Sequence, residues 1–282
     1  MGHDPYSEER SILRSERMDY ANTSAGNIFR KSMHKDLDPH GVELRESRDS
    51  EEHPNSVPII IGLDLTGSMG HIPHAMITED LNAMMGKLIK RGITDPQVMF
   101  MGIGDHEYDR APLQVAQFES GDQALDHWLK NLYLEGGGGP NDGESYLLAW
   151  YFAAKKTSID SIENRNSKGF LFTIGDEETL QSVPRNVIKK IFGDDAGPFT
   201  ARELYDEASK LYHVFHIHVR EGQGGHCQHI IDDWSESIGN HLIIAENHRD
   251  LSDIISSKVL ELQENPTAGV LNDRRIIVTE EE

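Results

Sequence analysis

Cysteine is almost absent from the 282 residues: Cys227 stands alone. One thiol cannot close an internal disulfide, so the chain has no need of an oxidising compartment. Long apolar runs are missing too. The longest, residues 57–65 (VPIIIGLDL), contains Pro58, Gly62 and Asp64 and falls far short of the roughly 20 residues of a membrane-spanning helix. Residues 1–10 are polar and charged, without the apolar stretch of a secretory signal, so a cytoplasmic location is expected. Basic residues are scarce against acidic ones, 27 to 48, and the net charge is −21. With no Lys/Arg cluster to offset it, such a surface repels phosphate backbones and anionic lipids, which disfavours nucleic acid and membrane as partners. Also missing are a P-loop, a serine nucleophile elbow, a dinucleotide-binding glycine fingerprint, internal repeats and low-complexity tracts.

What is there reads as globular. Hydrophobic residues make up 37% and charged residues 27%, and the length suits one large α/β domain or two small ones. Residues 1–56 stand apart: they are polar and poor in large apolar side chains, and 45–56 (RESRDSEEHPNS) has the composition of a linker. Ile28, Phe29 and Met33 would suffice for a short docked helix within 24–33, but a mobile arm is expected. A domain over 57–264 and a polar tail over 265–282 complete the division.

Strands are expected where apolar runs end in small polar residues: 57–64, 97–103, 168–174, 212–219 and 241–245. Residues 113–118 (LQVAQF) alternate like a half-exposed strand and follow 97–103 after a short turn, so these two should pair antiparallel at an edge. Helical spacing marks 72–91, 123–132, 142–156, 183–192, 201–211, 229–238 and 251–262. Alternation of this kind predicts an α/β fold: a doubly wound, mostly parallel six-stranded sheet with one antiparallel edge strand and helices on both faces.

In such sheets ligands gather at the carboxyl ends of the strands, where the winding reverses. The first strand ends in Asp64-Leu65-Thr66-Gly67-Ser68, which puts three oxygen donors on one turn. These are hard ligands, suited to Mg²⁺, Mn²⁺ or Ca²⁺. A second buried strand ends at Asp176, and the glycine-rich loop 136–139 is followed by Asn141, Asp142 and Ser145. If the strands are neighbours, these groups converge. A plainer reading is that Thr66 and Ser68 cap the following helix while Asp64 accepts backbone N–H bonds.

Asp64-Leu65-Thr66-Gly67-Ser68-Met69 resembles the metal-ion-dependent adhesion site (MIDAS) motif of von Willebrand factor type A (vWA) domains, Asp-x-Ser-x-Ser, and the resemblance covers about residues 57–264. The pattern is similar to vWA domains attached to alpha-kinases and their bacterial relatives, though no kinase domain accompanies it. The resemblance implies that Asp64, Thr66 and Ser68 hold a divalent cation, Mg²⁺ foremost, and that Asp176 joins them. It implies that an acidic residue of a protein partner completes the coordination, and that an AAA+ ATPase is a candidate partner. The family places a threonine after the glycine loop; here none stands in 136–145, and Asp142 is the first substitute, with Asn141 and Ser145 behind it. An anionic substitute would hold the ion more tightly and weaken its pull on a partner's carboxylate.

Two other features have ordinary explanations. Asp105-His106-Glu107-Tyr108-Asp109 could be a recognition rim or auxiliary cation site, but reads first as a solvated hairpin turn. His213, His216, His218, His226 and His229 with Cys227 could bind zinc, but match no standard spacing and read as satisfied core and rim histidines. The expected function is a non-enzymatic, metal-dependent protein-binding module, an intracellular scaffold or assembly factor. The alternatives are a Mg²⁺-dependent phosphoryl-transfer hydrolase, against which the first-motif loop offers no Lys or Arg for a phosphate, and a structural domain with a vestigial site.

Overall fold

Residues 57–64 are buried at every position because both faces of their strand are covered, and the same holds for 96–103 and 169–175. A computed structural model describes residues 6–264 apart from 77–79, 137–138 and 142. Six strands form the central sheet: β1 (Val57–Asp64), β2 (Pro96–Ile103), β3 (Leu113–Val115), β4 (Gly169–Gly175), β5 (Tyr212–Val219) and β6 (Leu242–Ala245). Their order across the sheet is β6-β5-β4-β1-β2-β3. All neighbours are parallel except β2 and β3, which pair antiparallel through Met101↔Val115 and Ile103↔Leu113. This is the doubly wound α/β fold, with its antiparallel edge strand, that the sequence predicts.

The longer helices are α1 (Glu8–Met18), α2 (Leu81–Lys90), α3 (Asp122–Lys130), α4 (Tyr146–Lys155), α5 (Arg185–Phe192), α6 (Ala201–Ala208), α7 (Gln228–Ile238) and α8 (Leu251–Glu264). The chain winds first one way from β1, to β2 and β3, and then the other way, to β4, β5 and β6. α2 packs with α8, and α4 packs with α6. α4 is apolar on all sides, Tyr146 to Ala153 being buried throughout, as a helix wedged between sheet and neighbours must be.

Two expectations need correction. Residues 6–56 are not a mobile arm. Tyr20, Phe29 and Leu37 are buried in the main core, so a few well-placed apolar anchors outweigh a polar average. Arg45–Ser47 of the supposed linker forms a short parallel strand pair with Thr157–Ile159, and Arg165 binds Asp49. The helix expected over 72–91 is met where it is described, with helical backbone from Ile72 to Met76 and from Asp80 through α2; 77–79 lie outside the described residues. The helix expected from 142 begins at Tyr146, because Gly143–Glu144 pairs in parallel with Glu178–Thr179 instead. The tail expected over 265–282 lies outside the described residues.

The N-terminal helix is fastened by charge. Arg10 and Arg14 of α1 both bind Asp122 at the start of α3, whose side chain is only 2% exposed. Burial raises the Asp122 carboxyl, but the Arg14 and Arg10 guanidiniums more than reverse this and hold it below the usual range. Arg10 is half exposed and screened, so Arg14 carries most of the attachment. Charged hydrogen bonds of this kind contribute about 1.5–3 kcal/mol. Asp122→Ala is therefore expected to speed trypsin cleavage at Arg10, Arg14 and Arg17 by roughly tenfold or more. An unchanged rate would mean that α1 is held by its other contacts, such as Glu8–Lys90 and Ser11–Asn82.

Candidate functional site

The winding reverses between β1 and β4, and the crevice at their carboxyl ends holds the expected groups. Asp64 closes β1 and Asp176 follows Gly175 at the end of β4; both are fully buried. Asp64 Oδ1 accepts the Thr66 backbone N–H at 2.8 Å and the Thr66 hydroxyl at 2.6 Å. Thr66 Oγ1 lies 3.1 Å from Ser68 Oγ, which donates to Asp176 Oδ1 at 2.8 Å. The four side chains thus form one continuous chain of oxygens. Neither hydroxyl caps a helix; both point to carboxylates, and only the Asp64–Thr66 N–H bond of the plainer reading is present.

The middle positions fall differently. Ser145 Oγ accepts the backbone N–H of His106 at 2.8 Å and contacts its ring, while Asn141 Nδ2 donates to Asp105 Oδ2 at 2.9 Å. Both are committed to the 105–109 turn rather than to Asp64. That turn is tied internally, since Asp105 is fully buried and accepts the Glu107 N–H. Asp142 lies outside the described residues.

Sequence reasoning missed three participants. Glu144 is 4% exposed, and its Oε2 has no hydrogen-bond partner among the described residues. Tyr146, fully buried, donates its hydroxyl to Asp64 Oδ2 at 3.2 Å, with its ring edge-on to His216 and Trp234. The third is the loop after β5: Gly224 N–H donates to Asp176 Oδ2 at 2.8 Å and Gln223 N–H to the Ser68 carbonyl at 3.2 Å. A methyl on Gly222 would overlap the Asp176 carboxylate, so the loop must be glycine there to lie against it. The Gly222-Gln223-Gly224-Gly225 run directly after a buried strand was the available signal.

The electrostatics are one-sided. Burial pushes the Asp64 carboxyl up, and the charge of Asp176 adds to this against the Thr66 and Tyr146 hydrogen bonds. Glu144 is pushed far above the usual carboxylate range by burial and then by Asp64, Asp109, Asp105 and Glu177. The Tyr146 hydroxyl is raised by burial and then by Asp64, Asp176, Glu144 and Glu177. A crevice of clustered carboxylates and hydroxyls, with one buried carboxylate oxygen left without a partner, has the donor chemistry of a hard dication. Asp64, Thr66, Ser68 and Asp176, with Glu144 beside them, are the residues that could hold it.

The histidine-rich segment does not assemble a cysteine site. His216 and His218 are fully buried; His216 stacks on Trp234 with ring centroids 3.7 Å apart, and His218 Nε2 meets the Gly225 carbonyl at 2.9 Å.

No protein-family model matches the chain, and no curated protein matches it. Among solved structures it is similar to proximal thread matrix protein 1 from the mussel byssus, at 10% identity over 73% of this chain and 46% of that one, with a TM-score of 0.43. It is similar to the pilus adhesin SpaC from Lactobacillus rhamnosus GG, at 10% identity over 78% of this chain and 31% of that one, with a TM-score of 0.48. It is also similar to the vWF domain of the type V pili tip protein Mfa5 from Porphyromonas gingivalis, at 10% identity, 80% and 99% coverage and a TM-score of 0.45. The chain spans less than half of the thread protein and about a third of the adhesin.

Proposed function

We propose that this chain is a non-enzymatic binding module that holds one divalent cation, Mg²⁺ foremost, and offers it to an acidic residue of a protein partner. The observation that carries the reading is the convergence of Asp64, Thr66, Ser68 and Asp176 on one crevice, with a buried Glu144 carboxylate oxygen beside them that has no partner among the described residues. The MIDAS-like spacing of the first motif supports it.

Asp64 and Asp176 balance the double charge of the ion. The Thr66 and Ser68 hydroxyls are neutral ligands and leave it Lewis acidic, so an incoming carboxylate completes both charge and shell. Glu144, when ionised, adds a third negative charge that tightens the hold on the ion and weakens its pull on the partner. The net charge of −21 opposes an acidic partner at long range, so the contact depends on the ion. A scaffold or assembly role inside the cell, beside an AAA+ ATPase or another multi-subunit machine, is the setting this reading favours.

The test pairs a titration with a capture. Calorimetry with Mg²⁺ or Mn²⁺ should give one site in the wild type and none in Asp64→Ala. A partner retained from native lysate in Mg²⁺ should be lost in EDTA and lost in Ser68→Ala, with no phosphatase turnover in any sample. Metal binding unaffected by Asp64→Ala, or a partner indifferent to EDTA, would overturn the proposal.

A further inference from the structure

A second constellation sits on the same rim of the sheet and uses none of the carboxylates above. His71 lies just beyond the turn Gly67–Met69 that follows β1, Glu221 just beyond the end of β5, and His248 opens the turn His248–Asp250 after β6. Their ligand atoms all lie within 4.8 Å of one another. His71 Nε2 is 3.1 Å from Glu221 Oε1, and His248 Nδ1 is 2.7 Å from Glu221 Oε2. The two imidazoles meet edge to face, with centroids 5.0 Å apart.

We propose that His71, Glu221 and His248 form a zinc site, distinct in place and in ligand type from the carboxylate crevice. Two imidazoles and one carboxylate make a borderline donor set that suits Zn²⁺, unlike the all-oxygen set around Asp64. Four-coordinate zinc, with bonds of about 2.0–2.2 Å, spaces its ligand atoms about 3.3 Å apart. The contacts of 3.1 and 2.7 Å and the outer limit of 4.8 Å bracket that spacing. Three protein ligands leave the fourth position to water or to an incoming group.

The site is held in shape. The His248 backbone N–H donates to Glu221 Oε2 at 2.9 Å, and Asn247 and Asp250 close a reciprocal capping box around the turn that carries His248. The His248 side chain is 10% exposed while that of His71 is 62% exposed, so the site has a buried wall and an open mouth. Glu221 immediately precedes the Gly222–Gly225 run that lies on Asp176, so zinc would pin that loop from its other end.

The experiment uses the full chain, stripped of metal and supplied with excess Mg²⁺ so that hard-ion sites are filled. Titration with Zn²⁺ should give one further ion per chain, retained in Asp64→Ala. His71→Ala, at an exposed position, should leave the fold intact by circular dichroism and weaken zinc at least about tenfold, with His248→Ala doing the same. Co²⁺ in place of Zn²⁺ should give the visible absorption of a four-coordinate nitrogen and oxygen site, lost in His71→Ala. Absence of the extra ion, zinc affinity unchanged in His71→Ala, or a cobalt–thiolate band assigning the ion to Cys227 would each overturn the proposal.

Discussion

Replacing Gly175 by alanine is expected to lower the melting temperature by about 6–12 °C and to disturb the crevice at its centre. Gly175 is the last residue of β4, paired with His218 of β5 and followed by Asp176. A methyl there would overlap the Tyr146 hydroxyl, lie 2.7 Å from the ring carbon that bears it, and come within 3.1 Å of Asp64 Oδ2. None of these atoms is the free end of a flexible side chain. Tyr146 is fully buried, with its ring packed edge-on against the stacked pair of His216 and Trp234. The strand must shift or the ring must leave, and overpacking of this kind costs about 3 kcal/mol, at about 2–4 °C per kcal/mol for a chain of this size. Tyr146→Phe alone removes one 3.2 Å hydrogen bond to Asp64 and should cost about 1 kcal/mol. The double variant should be more stable than the sum of the two losses, because removing the hydroxyl removes the worst overlap. Gly26→Ala, where an added methyl meets nothing within 4 Å, should change stability by less than about 0.5 kcal/mol. Thermal melts of the wild type and the four variants decide it: a wild-type melting temperature for Gly175→Ala, or strict additivity in the double variant, would show that Tyr146 is not fixed where it lies.

Much of this arrangement was legible because it follows from strand ends. A run buried on both faces must stop where polar residues begin, so Asp64 and Asp176 mark the same rim as soon as β1 and β4 are neighbours. Ser68 and Thr66 follow within one turn and come with them. Glu144 was not legible, because an acidic residue just before an apolar helix reads as an exposed first-turn carboxylate. Its burial depends on the pairing of Gly143–Glu144 with Glu178–Thr179, a two-residue contact between distant segments that no periodicity announces. Residues 6–56 misled for a related reason. Average composition gave them no core, but Tyr20, Phe29 and Leu37 each reach one, and buried Asp122 supplies the partner for the arginines. His71, Glu221 and His248 are far apart in sequence and meet only because the loops after β1, β5 and β6 share one edge of the sheet.

The clustered carboxylates make a second prediction of large effect, in which pH and metal act on the same groups. In the folded chain Asp64 and Glu144 hold protons that their ordinary values of about 3.9 and 4.3 would release. Raised folded values mean that the native state binds more protons than the unfolded one, so stability is fullest at low pH and falls as pH rises. The limit is about 1.4 kcal/mol per pH unit for each retained proton. Below neutrality the buried histidines act in the opposite sense. His216 and His218 are lowered by burial, so the unfolded chain takes up their protons first and acid costs stability. The carboxylate effect is therefore read cleanly between about pH 7 and 9, above the ordinary histidine range and below that of tyrosine. In EDTA the melting temperature should fall by roughly 4–8 °C across that interval, for roughly 2 kcal/mol lost. Saturating Mg²⁺ should flatten the fall, because an ion that needs ionised ligands displaces the protons and binds more tightly as pH rises. Glu144→Gln should raise the metal-free melting temperature at pH 8, reduce the slope and weaken Mg²⁺, since it removes a carboxyl that must take up a proton to fold into the empty crevice and that would attract the ion, once ionised, in the filled one. A metal-free protein equally stable at pH 7 and pH 9, or one whose slope persists in saturating Mg²⁺, would mean that these carboxylates are reconciled by something other than a cation.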